Sequence, residues 1–290
     1  MMRINFVEDE REIRKRKIKK VFANIFLWTM AFFCIFPFIL LIVNASRSDA
    51  QLQSGFSLIP REYFWRNLVN AWNDTSINMG RGLLNSFFLA TVNAIFTTYF
   101  SVMTAYAVHV YDFRGRKFIR GFILAIMMIP SQVSAVGFVQ MVNSLGLTNN
   151  YLPLIIPSIA SPLTFFYMVQ YMKNTLPLEI IEAARVDGSN EFKTLNKIAL
   201  PIMKPAMAVQ AIFAFVSSWN NYFVPALLIS EADKKTVPIM IAVLRAAANS
   251  EDYDLGKIYM FILISILPVI LVYLILSKQI IKGVSAGAVQ

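Results

Sequence analysis

The chain has 290 residues, of which 57% are hydrophobic and only 15% are charged, and its mean hydropathy is positive. This composition is too apolar for a soluble domain with a hydrated surface, and it favours a membrane protein. A formal net charge of +10 would suit a nucleic-acid partner, but the charges fall in segments that alternate along the chain. The only cysteine, Cys34, excludes an intrachain disulfide, and its apolar surroundings favour a packing role.

Uncharged apolar stretches predict membrane-spanning helices, since about 20 residues cross a hydrocarbon core of ~30 Å. Four stretches have the length of one helix: 21–43, 83–108, 205–230 and 258–277. The uncharged stretch 121–172 is about twice as long, and the turn signal 143–150 lies in its middle. The sequence therefore predicts an all-α polytopic membrane protein with six transmembrane helices.

Lys and Arg are concentrated in every second connecting segment, which predicts the orientation. Nineteen of the 27 lie before residue 21, in 111–120, in 173–204 or after 277, and eight lie in 44–82, 142–152 and 231–257. An excess of positive charge marks the cytoplasmic side. Both termini of this multi-pass protein are therefore predicted to be cytoplasmic, and the charge describes topology rather than a nucleic-acid site.

The first two segments leave alternatives open. The basic tail 1–20 could lie on anionic lipid, although a simple anchor for the first span, 21–43, is favoured. Pro37 is predicted to kink that span. The outside loop 44–82 contains a predicted short helix, 63–73, with two Trp residues. This loop could be a surface for an external protein or an interfacial aromatic belt.

Few residues are suited to covalent or metal chemistry. The only histidine, His109, lies at a predicted membrane boundary, which favours an interfacial side chain that reaches towards the lipid headgroups. One His and one Cys far apart predict no metal site. The sequence also has no Gly-x-x-x-x-Gly-Lys-Ser/Thr phosphate loop. The chain is therefore predicted not to be an enzyme and not to hydrolyse ATP itself.

Prolines and polar residues inside the spans predict a cavity. Proline breaks or bends a membrane helix, and four prolines fall in the third and fourth spans: Pro130, Pro153, Pro157 and Pro162. Polar side chains at membrane depth usually face protein or water. The candidates for a transport path are Asn93, Gln132, Ser217, Ser218, Asn220 and Asn221. Each could instead form an interhelical hydrogen bond, which is favoured for isolated residues more than for the dense cluster 217–221.

The segment 176–205 predicts two short helices around a turn, between two spans. Pro177 suits the first turn of a helix, and Gly188 suits a left-handed helix stop. Ser189 is predicted to cap the second helix, and Pro201 is predicted to end it. One face of that helix is predicted to carry Phe192, Leu195, Ile198 and Ala199, opposite Lys193, Asn196 and Lys197.

The spacing in this segment carries a resemblance to a known family. Glu182-Ala183-Ala184 is followed after three residues by Gly188, and after nine more by Ile198-Ala199-Leu200-Pro201. This pattern resembles the cytoplasmic coupling motif of ABC importer permeases, which docks into a groove on an ATP-hydrolysing subunit. The resemblance implies coupling roles for Glu182, Ala183, Ala184, Gly188, Ile198, Leu200 and Pro201.

Weaker motifs extend the resemblance over about 81–290 and favour the carbohydrate-uptake branch. They are Asn85-Ser86, Ala105-Tyr106-Ala107, Leu145-Gly146-Leu147, Ser218-Trp219-Asn220 and the C-terminal 282–289. The chain is similar to the maltose-type second permease. The implied division is a tail at 1–20, a first helix at 21–43, an extracytoplasmic loop at 44–82, a core at 83–281 with the coupling loop 174–205, and a tail at 282–290.

The resemblance implies a type I ABC importer permease that moves a sugar or oligosaccharide across the bacterial cytoplasmic membrane by alternating access. The implied partners are a second permease in a heterodimer, two ATP-binding subunits that hold ATP and Mg, an extracytoplasmic solute-binding protein, and membrane lipid. No cofactor is expected on this chain. The alternatives are an ABC permease for another solute, such as amino acids or polyamines, and a secondary transporter. The absence of charged residues inside the spans argues against both.

Overall fold

The computed structural model describes residues 10–247 and 253–287, which form helices and turns without a β-strand. The α-helices are α1 (Glu10–Ala45), α2 (Asp49–Gln53), α3 (Phe64–Trp72), α4 (Met79–Val110), α5 (Arg116–Ile126), α6 (Ser131–Ser144), α7 (Leu152–Ile155), α8 (Pro162–Thr175), α9 (Leu178–Val186), α10 (Glu191–Thr194), α11 (Leu200–Trp219), α12 (Phe223–Leu228), α13 (Val237–Ala246) and α14 (Leu255–Gly287). Two 3₁₀ turns (Ile156–Ile159 and Ala232–Lys234) and one π turn (Leu195–Ala199) lie between them.

Five helical segments of the described chain are long and apolar enough to cross a membrane: Lys15–Ala45, Met79–Val110, Leu152–Thr175, Glu191–Trp219 and Leu255–Ser277. The predicted third span is not one continuous helix, so the count of six is not confirmed. Its chain forms α5 and α6, which are separated at 127–130. Pro130 has no N–H, and the residue before a proline avoids helical geometry. Hydropathy is similar on both sides, so the apolar stretch predicted one span, whereas the break lies at one of the prolines that were predicted to break or bend the spans.

Prolines also shape two other predicted spans. The fourth is divided into α7, a 3₁₀ turn and α8, with Pro153, Pro157 and Pro162 at the starts of these pieces. This agrees with the prediction that prolines break the helix. Pro37, in contrast, lies inside the continuous helix α1.

Chain contacts divide the protein into two compact units, and the first contains the described residues up to Val69 together with Asp254–Leu263. Asn67 is 2% exposed, and its Nδ2 donates to the carbonyl oxygens of Ala45 at 2.9 Å and Arg47 at 2.8 Å. Gly256 passes so close that a Cβ there would lie 2.7 Å from the Arg47 oxygen. The hydrogen bonds of the Asn67 side-chain amide therefore fix the chain after α1, and only glycine fits at position 256 beside them. The predicted short helix in this loop is α3.

The second unit contains the described residues of Asn70–Tyr253 and Ile264–Gln290, and α4 packs in it against α8 and α11. One buried cluster continues from these helices into the segment 178–199. It contains Val102, Ala105, Phe165, Met168, Met172, Leu176, Ile181, Leu195, Ala199 and Met203. Residues of α9, the π turn and three spans thus share one core, so the predicted connecting segment is packed rather than free.

His109 was predicted to reach towards the lipid headgroups, and this prediction is wrong. Its Nε2 lies 3.0 Å from the carbonyl oxygen of Leu176, just after α8, and the side chain is half-buried. The last carbonyls of a helix have no intrahelical partner. The imidazole satisfies one of them and joins the end of α4 to the end of α8.

Candidate functional site

The segment from α9 to the π turn, 178–199, forms a compact projection, called the knob below. Gly188 has φ of +78°, as predicted for a left-handed helix stop. The amide of Gly188 donates to Arg185 O at 3.0 Å and the amide of Ser189 donates to Ala184 O at 2.9 Å. This pair of bonds is the Schellman arrangement, which satisfies the last carbonyls of α9. The turn of the knob is therefore fixed by the backbone.

The cap of α10 is one residue later than predicted. Ser189 uses its amide to close α9, so the next extended residue, Asn190 with ψ of 159°, caps α10 instead. Asn190 Oδ1 accepts from Lys193 N at 2.8 Å. The Ser189 hydroxyl oxygen accepts from Thr194 Oγ1 at 2.9 Å. The serine thus braces the turn, and the asparagine starts the helix.

Pro201 does not end the helix, contrary to the prediction. The chain passes from α10 through the π turn Leu195–Ala199 into α11, where Pro201 lies in the first turn. In the π turn the amide of Leu200 donates to Leu195 O, five residues back. This shift places the proline where an N–H has no helical partner. The second helix of the knob is therefore continuous with the membrane span that follows.

The predicted apolar face of the second helix is also only partly correct. Leu195 and Ala199 are buried and Ile198 is half-buried, but Phe192 is 70% exposed. Thr194, which was not assigned to this face, is fully buried. Phe192 lies in the first turn of the second helix, before the π turn begins at Leu195. Phe192 therefore lies on the outer surface of the knob.

The seven predicted coupling residues divide into two groups. Exposed positions are Glu182, Ala183, Gly188 and Pro201. The others pack inward: Ala184 is 6% exposed, and Ile198 and Leu200 are half-buried. The first group is available to a partner, whereas the second supports the knob against the spans. Ala183 is exposed beside the carboxylate of Glu182, and its small side chain permits close approach of a partner surface.

A polar cluster that sequence spacing did not indicate joins the knob to α4. Glu191 Oε1 pairs with Arg185 Nε at 2.7 Å. Glu191 Oε2 accepts from the hydroxyls of Tyr111 at 2.7 Å and Tyr106 at 3.2 Å. The Arg185 guanidinium also lies 5.7 Å from the centre of the Tyr111 ring. One carboxylate thus connects both helices of the knob to the end of α4.

The cluster has a defined protonation state. Burial raises the pKa of Tyr111, and its hydrogen bond to Glu191 raises that pKa further. The hydrogen bond to Glu191 likewise raises the pKa of Arg185. The tyrosine therefore remains a donor and the arginine a cation at physiological pH, which suits an ionised carboxylate between them.

Two of the predicted path residues are paired with each other. Asn93 Nδ2 on α4 donates to Ser218 Oγ on α11 at 2.8 Å. This is the interhelical hydrogen bond that the sequence left open as the alternative. Asn93 Oδ1 is buried and has no hydrogen-bond partner among the described residues. The pair therefore joins two spans and leaves one acceptor unused.

Asn221 lines a cavity of about 730 Å³ where three helices are interrupted. The interruptions are those between α5 and α6, between the 3₁₀ turn and α8, and between α11 and α12. The walls include Met127, Phe138, Pro157, Ser161 and Val224. Chain breaks at membrane depth are tolerated where they border a cavity or other protein. This cavity is the strongest candidate for a solute path.

The remaining predicted path residues lie outside that cavity wall. Ser217 and Asn220 are exposed at the end of α11. Gln132 is exposed on α6, and it is not among the residues that line the cavity. The structure thus separates the dense polar cluster 217–221. Ser218 is hydrogen-bonded to Asn93, Ser217 and Asn220 are exposed, and Asn221 lines the cavity.

Comparison with known proteins gives three findings. Residues 98–285 match the family described as binding-protein-dependent transport system inner membrane component. The arabinooligosaccharides transport system permease protein AraQ of Halalkalibacterium halodurans is 32% identical over 265 residues, covering 90% of this chain and 93% of the relative. The trehalose/maltose transport system permease protein MalG of Thermococcus litoralis is 30% identical over 281 residues, covering 96% and 99%.

A solved structure has the same fold. It is the crystal structure of a bacterial ABC transporter involved in the import of the acidic polysaccharide alginate, and one of its chains matches with a TM-score of 0.77. That match has 23% identity and covers 91% of this chain and 97% of the other. The arrangement of helices is therefore that of a known membrane transporter subunit.

Proposed function

Because the chain belongs to the binding-protein-dependent transport system inner membrane components, we propose that it is the permease subunit of an ATP-driven sugar importer. The solute is a sugar or oligosaccharide, which crosses the cytoplasmic membrane. The observation that carries this proposal is the nearly complete alignment with permeases named for arabinooligosaccharides and for trehalose and maltose. Permeases of this family transport their solute and perform no covalent chemistry.

The knob supports a role in transmitting force. Its outer surface presents Glu182, Ala183 and Phe192, whereas its inner residues share one core with α4, α8 and α11. A partner that moves the knob would therefore move packed spans rather than a free loop. We assign the outer surface to contact with an ATP-binding subunit, which holds ATP and Mg.

The further partners are a second permease in a heterodimer and an extracytoplasmic solute-binding protein. Alternating access follows from this arrangement, since closure of the ATP-binding pair would displace the knobs and rock the spans. The excess of Lys and Arg in the knob segment and in the terminal segments supports a cytoplasmic position for the knob and both termini. The cavity at Asn221 then provides the solute path.

A secondary transporter is the competing function, and one feature argues against it. Coupling to an ion gradient usually requires a carboxylate at membrane depth. Among the five apolar helical segments, the only carboxylate is Glu191, the first residue of its segment, where it belongs to the cluster around Tyr111. The described spans thus offer no group for ion coupling.

The test is reconstitution of the transporter, purified through a tag on this chain, into liposomes with the solute-binding protein. Uptake of arabinotriose, maltose and trehalose is measured with and without ATP at the cytoplasmic face. We expect uptake of at least one of these sugars that requires ATP and the binding protein. Uptake driven by an ion gradient without ATP would contradict the proposal, as would transport of none of the sugars while a charged solute is carried.

A further inference from the structure

Helix α3, in the predicted extracytoplasmic loop, turns apolar side chains away from the protein. Trp65 and Trp72 have 72% and 58% of their surface exposed, and Val69 between them is exposed as well. A helix turns by about 100° per residue, so these three side chains lie within a sector of about 60° around its axis. They are called the tryptophan stripe below. An exposed apolar stripe of this kind indicates contact with a membrane or with another protein.

The other two sides of α3 differ from this stripe. Asn67 and Ala71 are buried, so the side on which they lie faces the protein. Arg66 and Asn70 are exposed, and they share a third, polar side. The helix therefore has one side on the protein, one apolar side and one polar side. Such a division fits a helix that lies in the plane of a membrane surface, where protein, hydrocarbon and water meet.

Hydrogen bonds hold α3 level with the ends of two apolar spans. Asn67 Nδ2 donates to the oxygen of Ala45, the last residue of α1, and the amide of Tyr63 donates to Ser46 O at 3.1 Å. Gly256, at the start of α14, passes beside the Asn67 side-chain amide. Both α1 and α14 contain segments long and apolar enough to cross a membrane, and each of those segments has one end here. The level of α3 is therefore that of a membrane surface.

The residue types of α3 also suit this level. Tryptophan is enriched at membrane–water interfaces, because its ring is apolar while its N–H is polar. The guanidinium of Arg66 lies 5.5 Å from the centre of the Tyr63 ring. An arginine at a membrane boundary can keep its charge among the headgroups while its stem covers apolar surface.

From these relationships we infer that α3 is an interfacial helix, which inserts the tryptophan stripe into the lipid surface and directs Arg66 and Asn70 towards water. With the proposed topology, this surface is the extracytoplasmic leaflet. The inference decides between the two roles that the sequence left open for this loop, in favour of the membrane. It goes beyond the proposed function, because it does not depend on which solute is carried.

A solute-binding protein is the competing occupant of the stripe. Such a protein approaches from water, so its contact would lie beyond the ends of the spans. The hydrogen bonds from α3 and Tyr63 to Ala45 and Ser46 place the stripe at those ends instead. The position of α3 thus favours lipid.

The test measures what surrounds the stripe in the complete transporter, reconstituted in vesicles of phosphatidylcholine and phosphatidylglycerol. A nitroxide spin label is attached to Val69→Cys, with Cys34→Ser because Cys34 is itself exposed. Asn70→Cys is the matched control, since it is the next residue on the helix and is exposed on the polar side. Collisions of the label with oxygen, which concentrates in lipid, are compared with collisions with a water-soluble nickel chelate. The transporter with Cys34→Ser alone gives the background.

We expect the ratio of oxygen to nickel collisions to be several-fold higher at Val69→Cys than at Asn70→Cys. A ratio at Val69→Cys as low as that at Asn70→Cys would place the stripe in water and overturn the inference. Exclusion of both reagents from Val69→Cys would also overturn it, because a protein such as the second permease would then cover the stripe. Protection that appears only when the solute-binding protein is added would assign the stripe to that protein instead.

A binding measurement tests the competing occupant independently. Trp65→Ala removes the most exposed ring of the stripe. It should change the affinity of the solute-binding protein for the reconstituted transporter by no more than about twofold, as expected for a surface substitution outside the contact. Truncating a tryptophan at the centre of a protein–protein contact costs a factor of about 30 or more. A loss approaching that factor would assign the stripe to the solute-binding protein and overturn the inference.

Discussion

The carboxylate of Glu191 and the hydroxyl of Tyr111, 80 positions apart in the sequence, are joined by a hydrogen bond of 2.7 Å. Glu191 also pairs with Arg185 on the other helix of the knob. The hydrogen bond to Tyr111 therefore connects the knob, which is the proposed coupling element, to the end of the long span α4. Because the Arg185 and Glu191 side chains are 38% and 43% exposed, solvent screens their pair, and its part in stability is small. We therefore expect the Arg185–Glu191 pair to affect how the knob transmits its displacement to the spans more than it affects stability.

Glu191→Gln is expected to reduce sugar uptake about two- to tenfold, the range for one net hydrogen bond, while the protein assembles normally. The amide cannot pair with Arg185 and accept from both tyrosines as a carboxylate does. The measurement is the ratio of sugar transported to ATP hydrolysed in liposomes, with thermal unfolding as a check on stability. Glu179→Gln is the control, since Glu179 is an exposed carboxylate on α9. An unchanged ratio in Glu191→Gln would mean that the cluster is dispensable for coupling.

Tyr111→Phe tests the same connection from α4. Combined with Glu191→Gln, it should add little to the loss of coupling, because both changes remove one shared bond. The four proteins of this cycle are compared in the same uptake and hydrolysis assay. Strictly additive effects would show that the two residues act independently.

The knob shows where sequence patterns were informative and where they were not. Gly188 was predicted correctly because only a residue without Cβ readily adopts its φ of +78°. The cap at Asn190 and the passage through Pro201 were not predicted. The cap lies at Asn190 because the amide of Ser189 closes α9, and the helix continues through Pro201 because of a π turn that has no clear sequence signal. Local rules thus located the turn but not the register after it.

Two other features of the structure could not be predicted from the spacing of residues in the sequence. Hydropathy is similar on both sides of Pro130, so counting apolar residues predicted one span where the structure has α5 and α6. The bond between Glu191 and Tyr111 depends on the packing of α4 against the knob, which no local pattern encodes. Polar residues in spans were predicted as one group, and only the structure separated the paired Asn93 from the cavity residue Asn221.

We predict that Thr148 is outside and Lys193 is cytoplasmic. Both residues are exposed, and they lie on segments that the charge distribution places on opposite sides. Thr148→Cys and Lys193→Cys are made with Cys34→Ser, because Cys34 is itself exposed. In intact cells, a membrane-impermeant thiol reagent should label Thr148→Cys only. Labelling of Lys193→Cys alone would show that the topology is the reverse of the predicted one. The knob would then lie on the outer side of the membrane, where ATP is not available.

Asn221→Leu is expected to lower sugar uptake or change the preferred sugar, with assembly intact, because its side chain lines the cavity at the helix breaks. Asn93→Leu should act differently. It removes a hydrogen bond between α4 and α11, so it should lower stability by on the order of 1 kcal/mol. Uptake kinetics and thermal unfolding in detergent separate the two effects. Normal uptake of all tested sugars by Asn221→Leu would assign the cavity to helix packing.

Gly188→Val is expected to weaken the contact of the knob with its ATP-binding partner. A Cβ at Gly188 would meet nothing within 4 Å, so collision with neighbours cannot explain a defect. The cost lies in the backbone, since φ of +78° is unfavourable for a β-branched residue by on the order of 1–3 kcal/mol. Relief of that strain would tilt α9 against α10. The displacement should therefore affect docking and coupling more than insertion into the membrane.

Two further substitutions make this prediction specific. Gly188→Asn should behave nearly as the unsubstituted protein, because asparagine tolerates the left-handed conformation. Gly121→Val on α5 is the control, since a Cβ there also meets open space but the backbone has no positive φ. Co-purification of the ATP-binding subunit and sugar uptake per ATP are measured for each. If Gly188→Val matches Gly121→Val in both, the left-handed turn is not required, and the knob does not need a fixed angle between α9 and α10 to couple.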